Sequence, residues 1–277
     1  MAEFATLRSY SDFERSVKNK ARFVHDQNVS DFLTVVLKTS ASRRKRISKG
    51  KTFFRAQRGF EWRTENSGEE DEFDVETAYS PERMLPVAEY VGDGCANPRG
   101  IPCLYMASSP DTAMAEVRPW VGSRISAAEF KMMRDCVVVD CSLDKTRSFA
   151  FELDFLLKST EPDANAKESG VWGDIAYAFS KPVALDESPL DYIPTQVLAE
   201  AFHNHGYDGI VYKSLLNEHG RNIALFDMAA AEIINCCLFE VQSVSFKFRP
   251  TENPYVIVKH YPQFTKSTDK KSAPETH

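Results

Sequence analysis

The apolar residues of this chain fall into short β-branched or aromatic runs, and that pattern restricts the fold more than any other feature. Residues 101–107 (IPCLYMA), 136–142 (CVVVDCS), 208–214 (DGIVYKS) and 222–226 (NIALF) are too short for buried helices. Runs of this kind read as strands. TFFRAQRGF (52–60) is an aromatic strand candidate, and EVQSVSFKF (240–248) and PYVIVKHY (254–261) are two more. Helical patterns are fewer. Phe13, Val17, Ala21 and Val24 recur at helical spacing, DFLTVVLK (31–38) follows, and QVLAEAFHNHG (196–206) closes on Gly206 as a C-cap. Strands outnumber helices without alternating with them, which predicts an α+β fold with a mixed or antiparallel β core.

Composition narrows the function. A hydrophobic content of 43% in 277 residues is enough for a substantial core. No apolar run reaches the roughly 18 residues of a membrane span. The opening MAEFATLRSYSDFERSVKNK lacks the apolar centre of a signal peptide, so the expectation is a soluble cytoplasmic protein. A net charge of −6 counts against general nucleic-acid binding. The basic run Arg43–Arg46 reads as a solvated linker, and the acidic stretch 65–74 as a solvated loop. Six cysteines without a C-x-x-C pair suit a reducing compartment. His203 and His205, two apart on a helix, do not share a face, so no metal site is expected. There is no P-loop and no dinucleotide-binding glycine fingerprint.

The stretch GIPCLYMASSPDTAMAEVRPW (100–120) reads as a strand followed by a short helix over 110–117. Pro119 ends that helix and biases Arg118 away from helical angles. A helical wheel puts Pro110, Ala113, Met114 and Val117 on one face, with Glu116 at its border. Taken alone, Glu116 reads first as a flanking surface residue, with a position at a cleft as the less favoured alternative. Irregular segments are expected over 61–100 and over EPDANAKESG (161–170), and a mixed pattern over 147–158. A long loop such as the first is more often functional than idle.

Four ordered blocks carry a family resemblance. FFRAQRG holds Arg55; GIPCLYMASSPDTAMAEVRPW holds Tyr105 and Glu116; DYIPTQVLAEAFHNHGYDGIVYKS ends on Ser214; GRNIALFD holds Asn222. Together, over roughly residues 50–230, they resemble the RES-domain proteins, named for an arginine, a glutamate and a serine. The resemblance implies a fold similar to ADP-ribosyltransferases and an enzyme acting on NAD+ as substrate, with no further cofactor. Family members include toxins that deplete NAD+ by hydrolysis or phosphorolysis and a branch that ADP-ribosylates protein. It also implies an Xre-like antitoxin as partner. The expected organisation is a helical region with a basic linker (1–49), a RES domain (50–262) and a disordered tail (263–277).

The implied chemistry suits these side chains. Breaking the nicotinamide–ribose bond develops an oxocarbenium-like cation, as glycoside cleavage does, and a carboxylate such as Glu116 stabilises it and holds a ribose hydroxyl. Arg55 offers a planar fork to the pyrophosphate; a rim salt bridge is its ordinary alternative. Tyr105 supplies a ring for nicotinamide or simply core packing. Ser214 offers a hydroxyl to ribose or nicotinamide, or is a turn residue, and without a paired histidine it is not a nucleophile. Gln196 and Asn222 are secondary NAD+-binding candidates that also suit capping. The chain departs from the family pattern at Cys95, where arginine is usual, at Phe54, where tyrosine is usual, and at Gln57. Fewer cations count against phosphate as the acceptor.

Overall fold

The computed structural model describes residues 3–66, 72–143, 162–181, 189–246 and 248. One compact unit spans Met1–Val244; of the second, Ser245–His277, only Ser245, Phe246 and Phe248 are described. The predicted strand 254–261, the tail and the mixed stretch 147–158 lie outside the described residues.

Two helices open the chain, α1 (Ser9–Asn19) and α2 (Gln27–Thr39). Phe13 and Val17 are buried as their spacing predicts, and the Phe13 ring stacks on Phe32 at 4.5 Å. Ala21 and Val24 do not extend that face. The helix stops at Asn19, both residues are exposed, and Asp26 starts α2 by accepting from the Val29 N–H.

The basic run is no linker, although Arg44, Lys45 and Arg46 are exposed as expected. After a 3₁₀ turn, Arg44–Ile47 forms strand β1 at the sheet edge, antiparallel to β7 (Cys136–Asp140). Each cation has an internal neighbour. The Arg43 guanidinium lies 4.2 Å from the centre of the Trp172 ring and Arg44 lies 6.0 Å from that of Tyr207. Lys45 bonds Asp140 at 2.6 Å, and Arg46 pairs with Asp135. Charges on an edge strand also discourage pairing with foreign strands.

The remaining strands are β2 (Thr52–Arg58), β3 (Glu61–Asn66), β4 (Glu72–Thr77), β5 (Leu104–Ala107), β6 (Arg124–Met132), β8 (Gly209–Lys213), β9 (Arg221–Leu225) and β10 (Ala231–Glu240). The helices are α3 (Pro81–Met84), α4 (Pro110–Glu116), α5 (Ala164–Ser180) and α6 (Ile193–Asn204). Gly206, with φ +88°, follows α6 as predicted. Several expectations need correction. The 61–100 region contains the β3–β4 hairpin, so part of the acidic stretch is paired strand. The strand expected from 101 begins at 104, because Pro102 has no N–H to donate to a ladder and Ile101 is exposed. EPDANAKESG starts helix α5 instead of a loop, with Asp163 capping the Ala166 N–H. The strand expected over 240–248 ends at Glu240.

Eight strands form one sheet in the order β1-β7-β8-β9-β5-β2-β6-β10, and only β7 and β8 run parallel. The architecture is the α+β arrangement the sequence predicts. Successive strand residues face opposite sides. Val139, Ile210 and Ala224 join a core with α1, α2, α5 and α6, built on Trp172, Phe179 and Phe202. Val138, Val211, Ile223 and Leu225 face a second core with Phe53, Leu104 and Phe130. The expected break at residue 49 is no break in packing, since Phe13 and Val36 share the core of Trp172.

The sheet is nearly split in its middle. β2 pairs with β6 along its whole length, from Thr52 to Arg58, but meets β5 at one residue pair, Phe54 and Ala107. The cleft described next opens at that junction.

Candidate active site

A row of registered residues crosses the junction: Tyr212 on β8 is opposite Asn222 on β9, Asn222 opposite Ala107 on β5, and Ala107 opposite Phe54 on β2. All four line a cavity of about 270 Å3, together with Arg55, Ala56, Tyr105, Met106, Ala113, Glu116 and Val117. Small side chains at 56, 107 and 113 leave the room. A larger cavity of about 820 Å3 adjoins it and shares Arg55 and Tyr105; its lining includes Arg83, Pro86, Tyr90, Asp93 and Asn97. Ligand sites typically occupy about 300–1,000 Å3.

Helix α4 carries Glu116 to this cavity. Ser109 caps it, accepting from the Thr112 N–H at 3.2 Å, and Pro110 occupies the first turn. Arg118 ends it in the left-handed region at φ 48°, immediately before Pro119. That conformation is unusual for a residue other than glycine. Thr112, fully buried, packs on the 215–220 loop, where a Cβ on Gly220 would come within 2.5 Å of its hydroxyl. Only glycine permits this approach, and it holds Ser214 next to α4 through a bond from the Ser214 N–H to the Gly220 carbonyl.

The glutamate is clamped on one oxygen. Glu116 Oε1 accepts from Ser214 Oγ at 2.6 Å and from Asn222 Nδ2 at 2.7 Å, while Oε2 has no donor among the described residues. Ser214 Oγ also accepts from the N–H groups of Leu216 and Asn217, at 3.2 and 3.1 Å. A hydroxyl has one proton and two lone pairs, so Ser214 is saturated within the protein. It differs in this from the ligand-facing hydroxyl expected of it.

Arg55 reaches across the split. Its Nη1 donates to the Tyr105 carbonyl at 3.1 Å, spanning the gap that the β2–β5 ladder has left. Burial pushes its guanidinium pKa down. Tyr105 lines both cavities with its ring, but its hydroxyl is engaged, donating to Asn97 Oδ1 at 2.7 Å and accepting from the Ala96 N–H at 2.9 Å. Gly94 lies so close that an added Cβ would meet that hydroxyl at 2.5 Å.

Gln196 lines neither cavity. Its Nε2 donates to the Asn97 carbonyl at 3.0 Å, with Gly94 O and Asp93 Oδ1 at 3.2 and 3.3 Å, and so ties the 93–97 loop to α6. The expected direct NAD+ contact becomes a loop anchor, because that loop lies between α6 and the cleft residue Tyr105. Cys95 is buried with its thiol donating to Tyr212 Oη at 3.5 Å. Burial raises the thiol pKa to about 11 and also pushes the Tyr212 and Tyr105 hydroxyls well up. Tyr212 was missed from the sequence. Its signal is strand alternation, since it stands two residues before Ser214 and opposite Asn222.

The structure thus brings together Arg55, Tyr105, Glu116, Ser214 and Asn222. Among the described residues the buried Arg55 Nε and Asn222 Oδ1 have no hydrogen-bond partner, and both residues line the Glu116 cavity.

The RES domain family model matches residues 61–249, and the chain belongs to that family. Tyr105, Glu116, Ser214 and Asn222 fall inside the match, and Arg55 precedes it. A solved structure titled as the M. tuberculosis MbcT–MbcA toxin–antitoxin complex is similar to this chain at 12% identity and a TM-score of 0.38, covering 74% of this chain and 92% of that one. No curated protein matches the sequence. Among the described residues no helix is long and apolar enough to cross a membrane.

Proposed function

We propose that this RES-domain protein cleaves the nicotinamide–ribose bond of NAD+, with Glu116 at the reacting ribose. The observation that carries the reading is the asymmetric glutamate: Oε1 is fixed by Ser214 and Asn222, and Oε2 is left to a ligand. A carboxylate held this way needs little reorganisation as positive charge develops on the ribose, which is how preorganised electrostatics lowers a barrier. The departing nicotinamide is neutral, so the reaction asks for no strong general acid. Arg55 stands where the two cavities meet and suits the pyrophosphate, with the adenosine half in the larger cavity. Ser214 and Gln196 act through other groups, the first on Glu116 and the second on the 93–97 loop.

Water is the acceptor this site favours. Where the family pattern implies arginine, this chain has the buried Cys95, so that loop offers no cation to a phosphate acceptor at this position. A growth-inhibiting role through NAD+ depletion, and restraint by an Xre-like antitoxin, belong to the same proposal, and family membership supports them. The test is incubation of the purified chain with NAD+, with and without phosphate, followed by chromatography of the products. Nicotinamide and ADP-ribose in equal amounts are expected, with a rate independent of phosphate. Folded protein, free of any partner, that releases no nicotinamide under either condition overturns the reading.

A further inference from the structure

The two unpartnered polar atoms beside Glu116 have opposite character. Arg55 Nε is a donor and Asn222 Oδ1 an acceptor, and both are buried. The orientation of the Asn222 amide is settled by its neighbour. Carboxylate oxygens accept, so the NH2 end must face Glu116 Oε1, leaving the carbonyl end unmet. Buried polar groups without partners are rare and disfavoured. Their residues share one small cavity whose other walls are the rings of Phe54, Tyr105 and Tyr212 and the apolar side chains of Met106, Ala113 and Val117.

That combination fits a flat heteroaromatic ring bearing a group with one acceptor and one donor side by side, which is a primary carboxamide. A polyhydroxylated sugar suits the aromatic and aliphatic walls poorly, and Glu116 Oε2 remains for it. Building on the NAD+ reading, we propose that Asn222 is a specificity determinant that recognises the nicotinamide carboxamide, its Oδ1 accepting from the carboxamide NH2 while Arg55 donates to the carbonyl through Nε, the Nη end of the same fork remaining for the pyrophosphate. Asn222 then has two tasks, one at each end of its amide. It fixes the glutamate and it selects the leaving group next to it.

The probe is the 3-acetylpyridine analogue of NAD+, which replaces the carboxamide NH2 with a methyl group of similar size. The quantity measured is the ratio of kcat/KM for NAD+ to that for the analogue, in the wild type and in Asn222→Leu and Asn222→Asp. Dividing the variants' ratio by the wild-type ratio removes the intrinsic difference between the leaving groups. Failure to pair a buried acceptor should cost the wild type on the order of tenfold or more with the analogue. Asn222→Leu should lose that discrimination, and Asn222→Asp, which keeps an acceptor oxygen, should keep most of it although both rates fall. Equal ratios in wild type and Asn222→Leu overturn the assignment, as they would if Asn222 read the ribose or only supported Glu116. Should Asn222→Leu prove too slow to measure, calorimetric Kd values for the two dinucleotides in Glu116→Gln, with and without Asn222→Leu, give the same comparison without turnover. A wild type that neither binds nor cleaves either dinucleotide refutes the NAD+ reading itself, whereas cleavage with an unchanged ratio refutes only the role of Asn222.

Discussion

Two half-buried or buried carboxylates, Asp140 and Glu116, are held very differently. Asp140, at the end of β7, has both oxygens taken. Oδ2 accepts from Lys45 at 2.6 Å, and Oδ1 accepts from the Ser142 N–H and hydroxyl at 2.8 and 2.5 Å. Among the described residues Glu116 has two donors on one oxygen and none on the other. The first arrangement completes a charge and ties the edge strand to the sheet. The second fixes a charge in place and leaves half of its capacity unused. A saturated carboxylate reads as structural, and a half-saturated one beside a cavity reads as a ligand site.

The largest effect should follow removal of the unsaturated charge. Glu116→Gln keeps the shape and should lower NAD+ turnover by about a thousandfold or more, equivalent to about 4 kcal/mol of barrier. Its thermal midpoint should stay within a few degrees of wild type, because Gln still accepts through one oxygen. Product chromatography and a melting curve on the same sample check both. A variant with more than a tenth of the wild-type turnover removes Glu116 from the chemistry.

Lys45→Ala tests the other side. It leaves a buried carboxylate with only Ser142, and breaking a buried pair ordinarily costs about 3–5 kcal/mol. Lys45 is 44% exposed, which discounts that figure to about 2 kcal/mol. Denaturant titration should show the loss, and turnover per folded molecule should not change. If turnover falls with stability unchanged, the contrast between the two carboxylates is wrong.

Ser214 sharpens the comparison within the site. Its hydroxyl is spent on Glu116 and on two backbone N–H groups, so Ser214→Ala should act through the glutamate. The expectation is a drop in kcat of about tenfold, with KM within about twofold, since the interaction lost is one that orients the reacting group. Ser214→Thr, which keeps the hydroxyl, should recover most of it. A rise in KM with kcat intact would instead place the hydroxyl on the substrate.

Much of this site was legible before the structure, through the ordered blocks that resemble the RES family. Local pattern placed Arg55, Tyr105 and Glu116 on short elements bounded by Gly, Pro and Ser, but by itself favoured ordinary roles for them, a salt bridge, core packing and a surface position. What could not be read was contact between distant segments. Nothing in the spacing says that Ser214 bonds Glu116 or that Gln196 anchors residues a hundred positions earlier. Helix α5 was hidden because Gly170 and Gly173 weaken its local propensity, while burial of Trp172, Ile175 and Phe179 overrides that weakness. Strand β6 was passed over because its alternation changes phase at the buried pair Ala127–Ala128, which splits RISAAEFKM into two short runs. The Arg43–Arg46 run looked solvated because its partners, Trp172, Tyr207, Asp140 and Asp135, are far away in sequence.

The smallest effect is expected from acid, and it falls on the saturated carboxylate. Burial by itself would raise the Asp140 pKa, but the bonds from Lys45 and Ser142 together outweigh it, and the folded value lies below the ordinary one. The unfolded chain therefore takes up its proton first, near pH 3.9. The stability Asp140 contributes is complete above that pH and is lost as pH falls from there through the folded value. Urea midpoints at pH 6 and pH 3 should consequently fall further in wild type than in Asp140→Asn, which has no proton to gain at this position. Every other carboxylate titrates in both proteins, so the difference between the two falls isolates this one group. Equal falls would mean that Lys45 and Ser142 do not hold the charge as the geometry indicates, and Asp140 would lose its standing as the structural counterpart of Glu116.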